Sequence, residues 1–349
     1  MALTIPVILL NWNGIDDTVE CVDSLLLQSD ISPLIYIGDN DSSNQEGEKL
    51  KALYAENSRV RVVLFDHNHG FALGCNLLMQ KALTDLPGAD SVALLNNDAI
   101  ADPSWLTTLH QTLVSTKSGM VGSKLISYQD RSKLDNVGHR MLSSGEVIPI
   151  GNKEDSSLYT SIDQNFGSCA GAVLYSREML EEIGMFDTYF HTGYEDAEIG
   201  IRAIVAGYLS TYSPDAIVYH KVSQSVSKIL DINYLTTIQK SIYYSYFKDT
   251  PRGLMLLTLP GVAFKIIALT ILNLITNKRH RNQIHWNALR QVWKDRTLIL
   301  ENRKQFFDRI DPIPSLKIRS KQDNWLTFDA VRFYKFYIKG EQSEFDKTQ

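Results

Sequence analysis

Three short segments carry residues whose types and spacing can do chemistry. Asn96-Asn97-Asp98 follows an apolar run, Val92-Ala93-Leu94-Leu95, so a carboxylate stands just past the end of a predicted strand. A carboxylate there can hold a hard divalent cation through oxygen. Such an ion would bridge a diphosphate and neutralise a leaving group as its charge develops. Standing alone, the same pattern reads first as a turn or a helix cap. Further on, Tyr194-Glu195-Asp196-Ala197-Glu198, with Arg202 beyond, places three carboxylates within four positions. Like charges that close are unfavourable unless cations or hydrogen bonds compensate. One of them can serve as general base toward an acceptor hydroxyl. The structural alternative is an acidic first helical turn favoured by the macrodipole, and Glu198 with Arg202 at i,i+4 fits that alternative better. His220 ends a third run, Ala216-Ile217-Val218-Tyr219. Neutral imidazole is a good ligand for a transition ion such as manganese, although a lone histidine is more often only a polar residue.

The first half of the chain supplies the elements that must position these groups. Apolar runs at residues 5–10, 34–38, 61–65 and 91–95 read as strands, and helical spacing at 17–27, 46–55 and 77–83 alternates with them. That alternation predicts a mostly parallel sheet of βαβ type. Polar residues recur just after the strand ends, at Asn11, Asp39, Asn68 and Asp98. Ligands of open α/β sheets bind at those carboxyl ends, so the pattern outlines one site. No G-x-G-x-x-G follows the first strand, which disfavours a nicotinamide-binding domain. No Gly-rich triphosphate loop bearing Lys or Arg follows it either, which disfavours a nucleotidyltransferase. Residues 127–164 are polar, with weak alternation, and read as a hairpin or an acceptor-side insert.

The chain has 349 residues, 44% of them hydrophobic, enough for one large core and a smaller second unit. Cys21, Cys75 and Cys169 are far apart and odd in number, so no disulfide framework or zinc spacing emerges and a reducing cytoplasm is expected. The opening apolar run, 4–10, lacks a basic leader and reads as a buried strand rather than a secretory signal. A domain boundary is expected near residue 250, with 1–250 catalytic and 251–349 helical and basic. Residues 278–321 carry twelve Lys/Arg against four Asp/Glu, a net of +8, within a chain of net −5, leaving −13 for the rest. An acidic body with a basic C-terminal part suggests an anionic surface or acceptor for that part; a solvated helix face is the alternative. Residues 254–275 are strongly apolar but interrupted by Pro260, Lys265 and Asn273. They suit a helix lying in a membrane interface, with Lys278-Arg279-His280-Arg281 meeting anionic headgroups. They suit equally a helix buried in a homodimer or against the catalytic domain.

Taken together, the motifs from Ile5 to about Ser227 resemble family 2 glycosyltransferases, the inverting family with the GT-A fold. Asn11-Trp12-Asn13 resembles that family's first nucleotide-binding strand end, and Asp39-Asn40-Asp41-Ser42-Ser43 its D-N-x-S segment. The stretch from Asn68 through Gly70 to Asn76 matches N-x-G-F-A-x-G-x-N, and Asn96-Asn97-Asp98 occupies the D-x-D position. Gly171-Ala172, Arg177-Glu178, Gly184-Met185-Phe186-Asp187, Glu195-Asp196, Arg202, Gly207-Tyr208, Pro214 and His220 follow in the family's order. The resemblance implies an α/β GT-A fold with a helical C-terminal region, a nucleotide-diphosphate-sugar donor and a divalent metal, Mg2+ or Mn2+. It implies that Asp196, beside Glu195, is the catalytic base and that Asp98 and His220 hold the metal. Asp39 would face the base, with Asn11, Asn40, Asn68, Gly70, Asn76 and Asn97 lining the donor site. The first D-x-D position is Asn96 here. That form resembles the rhamnosyltransferase-like branch, in which the last carboxylate is the main metal ligand. The resemblance therefore implies dTDP-L-rhamnose as donor and a bacterial surface polysaccharide or lipid-linked oligosaccharide as acceptor. The alternatives are a UDP-hexose donor, or a non-catalytic nucleotide-sugar-binding subunit. No nucleic-acid partner is expected, and a peripheral place on the cytoplasmic face of the inner membrane is.

Overall fold

The computed structural model describes residues 3–191, 193–221, 232–276, 278 and 281–333. It contains two compact units, Met1–His139 with Pro149–Val222, and Arg140–Ile148 with Ser223–Gln349.

The first unit is the α/β part. Its elements are β1 (Thr4–Asn11), α1 (Ile15–Leu26), β2 (Ser32–Asp39), α2 (Glu46–Leu53), β3 (Val60–Leu64), α3 (Gly70–Asp85), β4 (Ser91–Leu95), β5 (Ala99–Ala101), α4 (Trp105–Thr116), β6 (Met120–Ser127) and β7 (Leu134–Asn136). After the short strands β8 (His139–Met141) and β9 (Val147–Pro149) come β10 (Asp163–Asn165), β11 (Ala172–Ser176), α5 (Arg177–Ile183), α6 (Glu195–Ala206) and β12 (Ser210–His220). The main sheet has the order β10-β12-β6-β11-β4-β1-β2-β3. Strands β3, β2, β1 and β4 are mutually parallel, as are β6 and β12. β11 runs against both β4 and β6 and so joins the two parallel groups in one direction. The strand ends predicted from sequence fall within two residues of those observed, because β1 and β4 are nearly continuous apolar runs buried on both faces. Leu9, Leu25, Ile35, Leu95, Trp105, Leu109 and Val218 are among the buried side chains of the largest core cluster. Trp105 is fully buried, and its indole N–H donates to Ser123 Oγ at 2.8 Å. The polar middle does contain a hairpin, β8–β9, which forms its own two-stranded sheet.

The second unit takes in most of the β8–β9 hairpin and is otherwise helical: α7 (Ile232–Asp249), α8 (Arg252–Ile275), α9 (Asn282–Lys294), α10 (Arg296–Phe307), α11 (Ser315–Arg319) and α12 (Trp325–Phe333). Helix α7 groups with these C-terminal helices, whereas the sequence boundary near 250 left it with the catalytic part. Its aromatic, hydroxyl-rich sequence is what packs there. Tyr243 Oη lies 2.9 Å from His285 Nδ1, Tyr246 Oη 2.9 Å from Thr258 Oγ1, and Tyr244 Oη accepts from Asn302 at 2.8 Å. Arg303 caps the end of α7, donating to the carbonyls of Phe247, Lys248 and Thr250. Of the basic run expected to meet headgroups, Arg279 and His280 lie outside the described residues.

Candidate active site

The carboxyl ends of β1, β2, β4, β6 and β12 share one edge of the sheet, and the predicted polar residues gather there. β4 stops at Leu95, and the Asn96 N–H donates to the Gly171 carbonyl at 2.9 Å. β5 begins directly after Asp98 and runs antiparallel to β12, with Ala99 opposite His220. Residues far apart in sequence thereby become neighbours. His220 Nε2 lies 3.1 Å from Asp98 Oδ1, and Asn96 Nδ2 is 3.3 Å from the same ring nitrogen. The other ring nitrogen, Nδ1, is 2.8 Å from Asp135 Oδ2. Burial works against a positive charge on this ring. The hydrogen bonds to Asp135 and then Asp98 outweigh it, pushing the imidazolium pKa up from 6.5 to about 9.

A carboxylate oxygen and an imidazole nitrogen form a donor set that suits Mn2+, and the oxygen alone suits Mg2+. Asp135 holds Nδ1, so Nε2 is the nitrogen turned toward Asp98, the carboxylate–histidine arrangement that orients a metal-binding imidazole. The residues present therefore fit a divalent ion held by Asp98 and His220. Asp135 was absent from the sequence reading. It sits mid-strand in a three-residue β7 and reaches the site only through long-range pairing of β7 with β6.

The acid pair opens α6, whose N-cap Tyr194 takes φ 79°. Glu195 is buried; loss of solvent, and then the charge of Asp196, push its pKa up to about 8. Glu195 therefore holds its proton at neutral pH. The Asp196 side chain is more open, with 19% of it exposed. Its Oδ2 accepts from the Ala170 N–H at 3.3 Å and its Oδ1 from the Ala197 N–H at 2.7 Å. Ala170 directly precedes Gly171, the partner of Asn96, so Asp196 faces the same sheet edge as Asp98. Of these two adjacent carboxyls, Asp196 is the more exposed. His139, which the sequence reading did not single out, brings Nε2 to 3.7 Å from Asp196 Oδ2, an ion-pair distance too long for a hydrogen bond. Glu198 and Arg202 form the expected pair, bidentate at 2.6 and 2.8 Å and fully buried. The same guanidinium donates to the carbonyls of Ile183, Gly184 and Met185, tying α6 to the loop after α5.

The residues expected to line the donor site divide into two groups. Asn11 and Asp39 stand opposite each other at the ends of β1 and β2. Asn11 Nδ2 donates to Asp39 Oδ1 at 2.8 Å, to Ser42 Oγ at 3.1 Å and to Glu46 Oε2 at 3.2 Å, while Thr18 Oγ1 donates to Asn11 Oδ1 at 2.7 Å. Gly47 permits this close approach, because a Cβ there would fall 2.6 Å from Asp39 Oδ2. Asn97 Nδ2 donates to Thr18 Oγ1 at 3.0 Å, linking this cluster to the metal-side turn. The second group is scaffolding. Asn40 and Asn68 bracket the turn into α3, Asn40 Nδ2 donating to Asn68 Oδ1 at 3.0 Å and the Gly70 N–H to Asn68 Oδ1 at 2.8 Å. Gly70 takes φ +73°, and a Cβ there would lie 2.5 Å from the His191 carbonyl. Asn76, expected in the donor site, clamps Phe186: its Nδ2 donates to the Phe186 carbonyl at 2.8 Å and its Oδ1 accepts the Phe186 N–H at 3.0 Å. A buried amide whose donor and acceptor both serve one backbone position holds a loop, which is why its sequence signature looked functional.

Two other features lie apart from this constellation. A cavity of about 750 Å3 is lined by Asp90, Lys117, Arg177, Glu181 and Tyr208, at the opposite end of the parallel strands. Asp66, His67 and His69, in the loop between β3 and α3, have ligand atoms within 4.8 Å of one another, with Asp66 and His67 exposed. The three cysteines are free.

Comparison with known proteins follows the same lines. Residues 7–184 match the family described as glycosyl transferase family 2. The O-antigen biosynthesis protein RfbC of Myxococcus xanthus is 27% identical over 199 residues, covering 53% of this chain and 15% of RfbC. Among solved structures, GalNAc-T7 with UDP, GalNAc and Mn2+ superposes with a TM-score of 0.55 at 15% identity, covering 71% of this chain and 50% of that one. S. aureus TarS in complex with UDP gives 0.49 at 13% identity, covering 84% of this chain and 72% of that one. The chain thus spans a small part of its curated relative and half of GalNAc-T7. The GalNAc-T7 likeness shows the GT-A fold expected from the sequence.

Proposed function

The chain belongs to glycosyl transferase family 2, and on that footing we propose that it transfers a sugar from a nucleotide diphosphate to a glycan hydroxyl with inversion. One observation carries this reading: Asp98 and His220 meet at 3.1 Å on the sheet edge that Asp196 also faces. A cation site for a diphosphate and a proton acceptor for a hydroxyl are what a single displacement at an anomeric carbon needs. Asp196 takes the proton of the acceptor hydroxyl as its oxygen bonds to the anomeric carbon. The bond from that carbon to the diphosphate oxygen breaks, and the nucleoside diphosphate leaves from the opposite face with the electron pair. The transition state is oxocarbenium-like, as in glycoside chemistry generally. Glu195, holding its own proton, keeps a second negative charge away from the acceptor side. When bound at Asp98 and His220, a divalent ion supplies charge neutralisation to the diphosphate. Asp39 is the residue we assign to the base, through the family resemblance, with Asn11 holding it and Thr18 and Asn97 linking the two to the turn that carries Asp98.

For the donor we favour dTDP-L-rhamnose. The Asn96-Asn97-Asp98 form supports it, through resemblance to the rhamnosyltransferase-like branch. For the acceptor we favour a bacterial surface polysaccharide or its lipid-linked precursor, which the O-antigen role in RfbC's name supports. A panel of nucleotide sugars, assayed for hydrolysis and transfer with Mn2+ or Mg2+, tests both levels. Strongest turnover with dTDP-L-rhamnose, lost in chelator and in Asp98→Ala, is the expected result. Strongest turnover with a UDP-hexose would correct the donor and leave the reaction intact. Binding of donors without turnover under any metal would overturn the enzyme in favour of a nucleotide-sugar-binding subunit.

A further inference from the structure

Helix α8 is built inside out. The positions buried along it are Leu254, Thr258, Val262, Lys265 and Asn273, a seam at helical spacing that contains most of its polar residues. The outward positions are Leu256, Leu257, Leu259, Phe264, Ile267, Ile271, Leu274 and Ile275, each between 39% and 78% exposed. In a water-soluble helix the apolar stripe faces the core and the polar face meets solvent. Here the order is reversed over 24 residues. Eight exposed large apolar side chains on one helix are the kind of surface that marks an interaction site.

The inward seam is well made, so the reversal is not loose packing. Lys265 pairs with Glu146 and, at 2.8 Å, with Asp329, and its ammonium lies 5.6 Å from the Trp325 ring centroid. Tyr246 Oη bonds Thr258 at 2.9 Å, and Asn273 Nδ2 donates to Asn282 Oδ1 at 2.8 Å. All of these partners belong to the helical unit itself. Among the described residues α8 is the one helix long and apolar enough to cross a membrane. Crossing would carry the Lys265, Glu146 and Asp329 charges into hydrocarbon, at high cost. A helix held along one seam by its own unit, with the opposite side apolar, is placed to lie in a membrane interface.

The chain that follows carries the matching charge. Residues 278–321 have a net charge of +8. On α9, Trp286, Arg290, Trp293 and Lys294 fall at i, i+4, i+7 and i+8 and are exposed, while Ala288 and Val292 are buried. Tryptophan with Lys and Arg is the composition that settles at headgroup level. Docking a second copy on this surface would bring two strongly basic segments together, which disfavours that occupant. We propose that α8 and the basic helices after it seat the protein peripherally on an anionic lipid bilayer, such as the cytoplasmic leaflet of a membrane.

The test is flotation of the full chain with vesicles. Phosphatidylcholine vesicles and vesicles containing 30–40% phosphatidylglycerol (roughly the range in which headgroup charge dominates) separate the apolar and ionic contributions. Wild type should float with the anionic vesicles at low salt and be released by high salt. The exposed-face variant Phe264→Ser/Ile267→Ser/Ile271→Ser should lose at least about tenfold in bound fraction, since each buried apolar group adds to membrane affinity. Arg290→Glu/Lys294→Glu should lose binding to anionic vesicles with the helix face intact, which keeps the test valid if the triple variant folds poorly. Sugar-nucleotide hydrolysis in solution should be unchanged in both. Failure of wild type to float, flotation of both variants equal to that of wild type, or a stable dimer in sedimentation that anionic vesicles do not bind would each overturn the proposal. Resistance to alkaline extraction would overturn it in favour of a spanning helix.

Discussion

Replacing Asp135 by Asn removes the carboxylate behind His220 while keeping the shape of the contact, and the consequence depends on pH in a way that can be worked out. In the metal-free protein both carboxylates, Asp135 at 2.8 Å and Asp98 at 3.1 Å, hold His220 protonated up to about pH 9. A metal ion must displace that proton, so at pH 7 proton competition weakens binding by about 100-fold relative to pH above 9, each pKa unit being about 1.36 kcal/mol. Log affinity for Mn2+ should therefore rise with a slope near one from pH 7 to 9 and then level. Asp135→Asn lowers the imidazolium pKa toward its ordinary value of 6.5 and also removes the group that orients Nε2. Loss of such an outer partner costs about 10–100-fold in metal affinity. At pH 9.5 the variant should show roughly that full deficit. At pH 7 the relief from proton competition should offset much of it, so the variant's slope between pH 7 and 9 should be nearly flat. Stability of the metal-free protein gives an independent check. A histidine whose folded pKa is raised stabilises fully below about 6.5 and loses that contribution as pH rises through about 9. Metal-free wild type should thus melt lower at pH 9 than at pH 6, and Asp135→Asn should show a smaller drop. Calorimetric Mn2+ titrations at four pH values supply the slopes. A flat wild-type profile, or a variant with the wild-type slope and affinity, would falsify the role given to Asp135.

The acid pair predicts opposite outcomes for neighbouring isosteric changes. Asp196→Asn should lower turnover by about 10²–10⁴-fold with donor binding kept, as for loss of a general base, while Glu195→Gln should turn over nearly normally at pH 7; a dead Glu195→Gln beside an active Asp196→Asn would reverse the assignment. Because the Glu195 pKa is raised from 4.5 to about 8, its contribution to stability falls as pH rises through that window, so Glu195→Gln should gain most over wild type in thermal melts above pH 8. Arg202→Ala strands the fully buried Glu198 carboxylate and frees three loop carbonyls, so urea unfolding should show a loss of about 3–5 kcal/mol; a loss below about 1 kcal/mol, typical of an exposed pair, would contradict the burial argument. Asn96→Asp would place a further carboxylate 3.3 Å from His220 Nε2, and Mn2+ affinity without donor should rise; an unchanged affinity would mean that position 96 stays out of the ion's shell.

The parts of this site that could be read from the sequence are those with local signatures. Asn11, Asp39 and Asp98 stand at the ends of apolar runs, so strand periodicity alone put them on one edge, and the register of β1 with β2 sets Asn11 against Asp39. Asp196 was legible as one of three crowded carboxylates, but which of them is buried was not. Glu195 turns into the core while Asp196 faces the Ala170 N–H, a difference of helical phase. Asp135 and His139 were invisible for a different reason. Both lie in the polar middle, which has little periodicity, and they reach the site through sheet pairings and backbone contacts, β7 on β6 and His139 on Gly167, that no local pattern encodes. Asn76 holds the Phe186 backbone through two hydrogen bonds that its sequence signature did not announce, because a side chain that clamps a backbone is as constrained in type as one that binds a ligand. The same logic runs through the C-terminal unit. Composition showed that α8 is apolar and interrupted, but an apolar helix with a polar stripe is compatible with either orientation. What fixes the orientation is that Lys265 finds Glu146, a residue from the hairpin more than a hundred positions earlier, and once that charge is turned inward the leucines, isoleucines and phenylalanine of the opposite face are turned out.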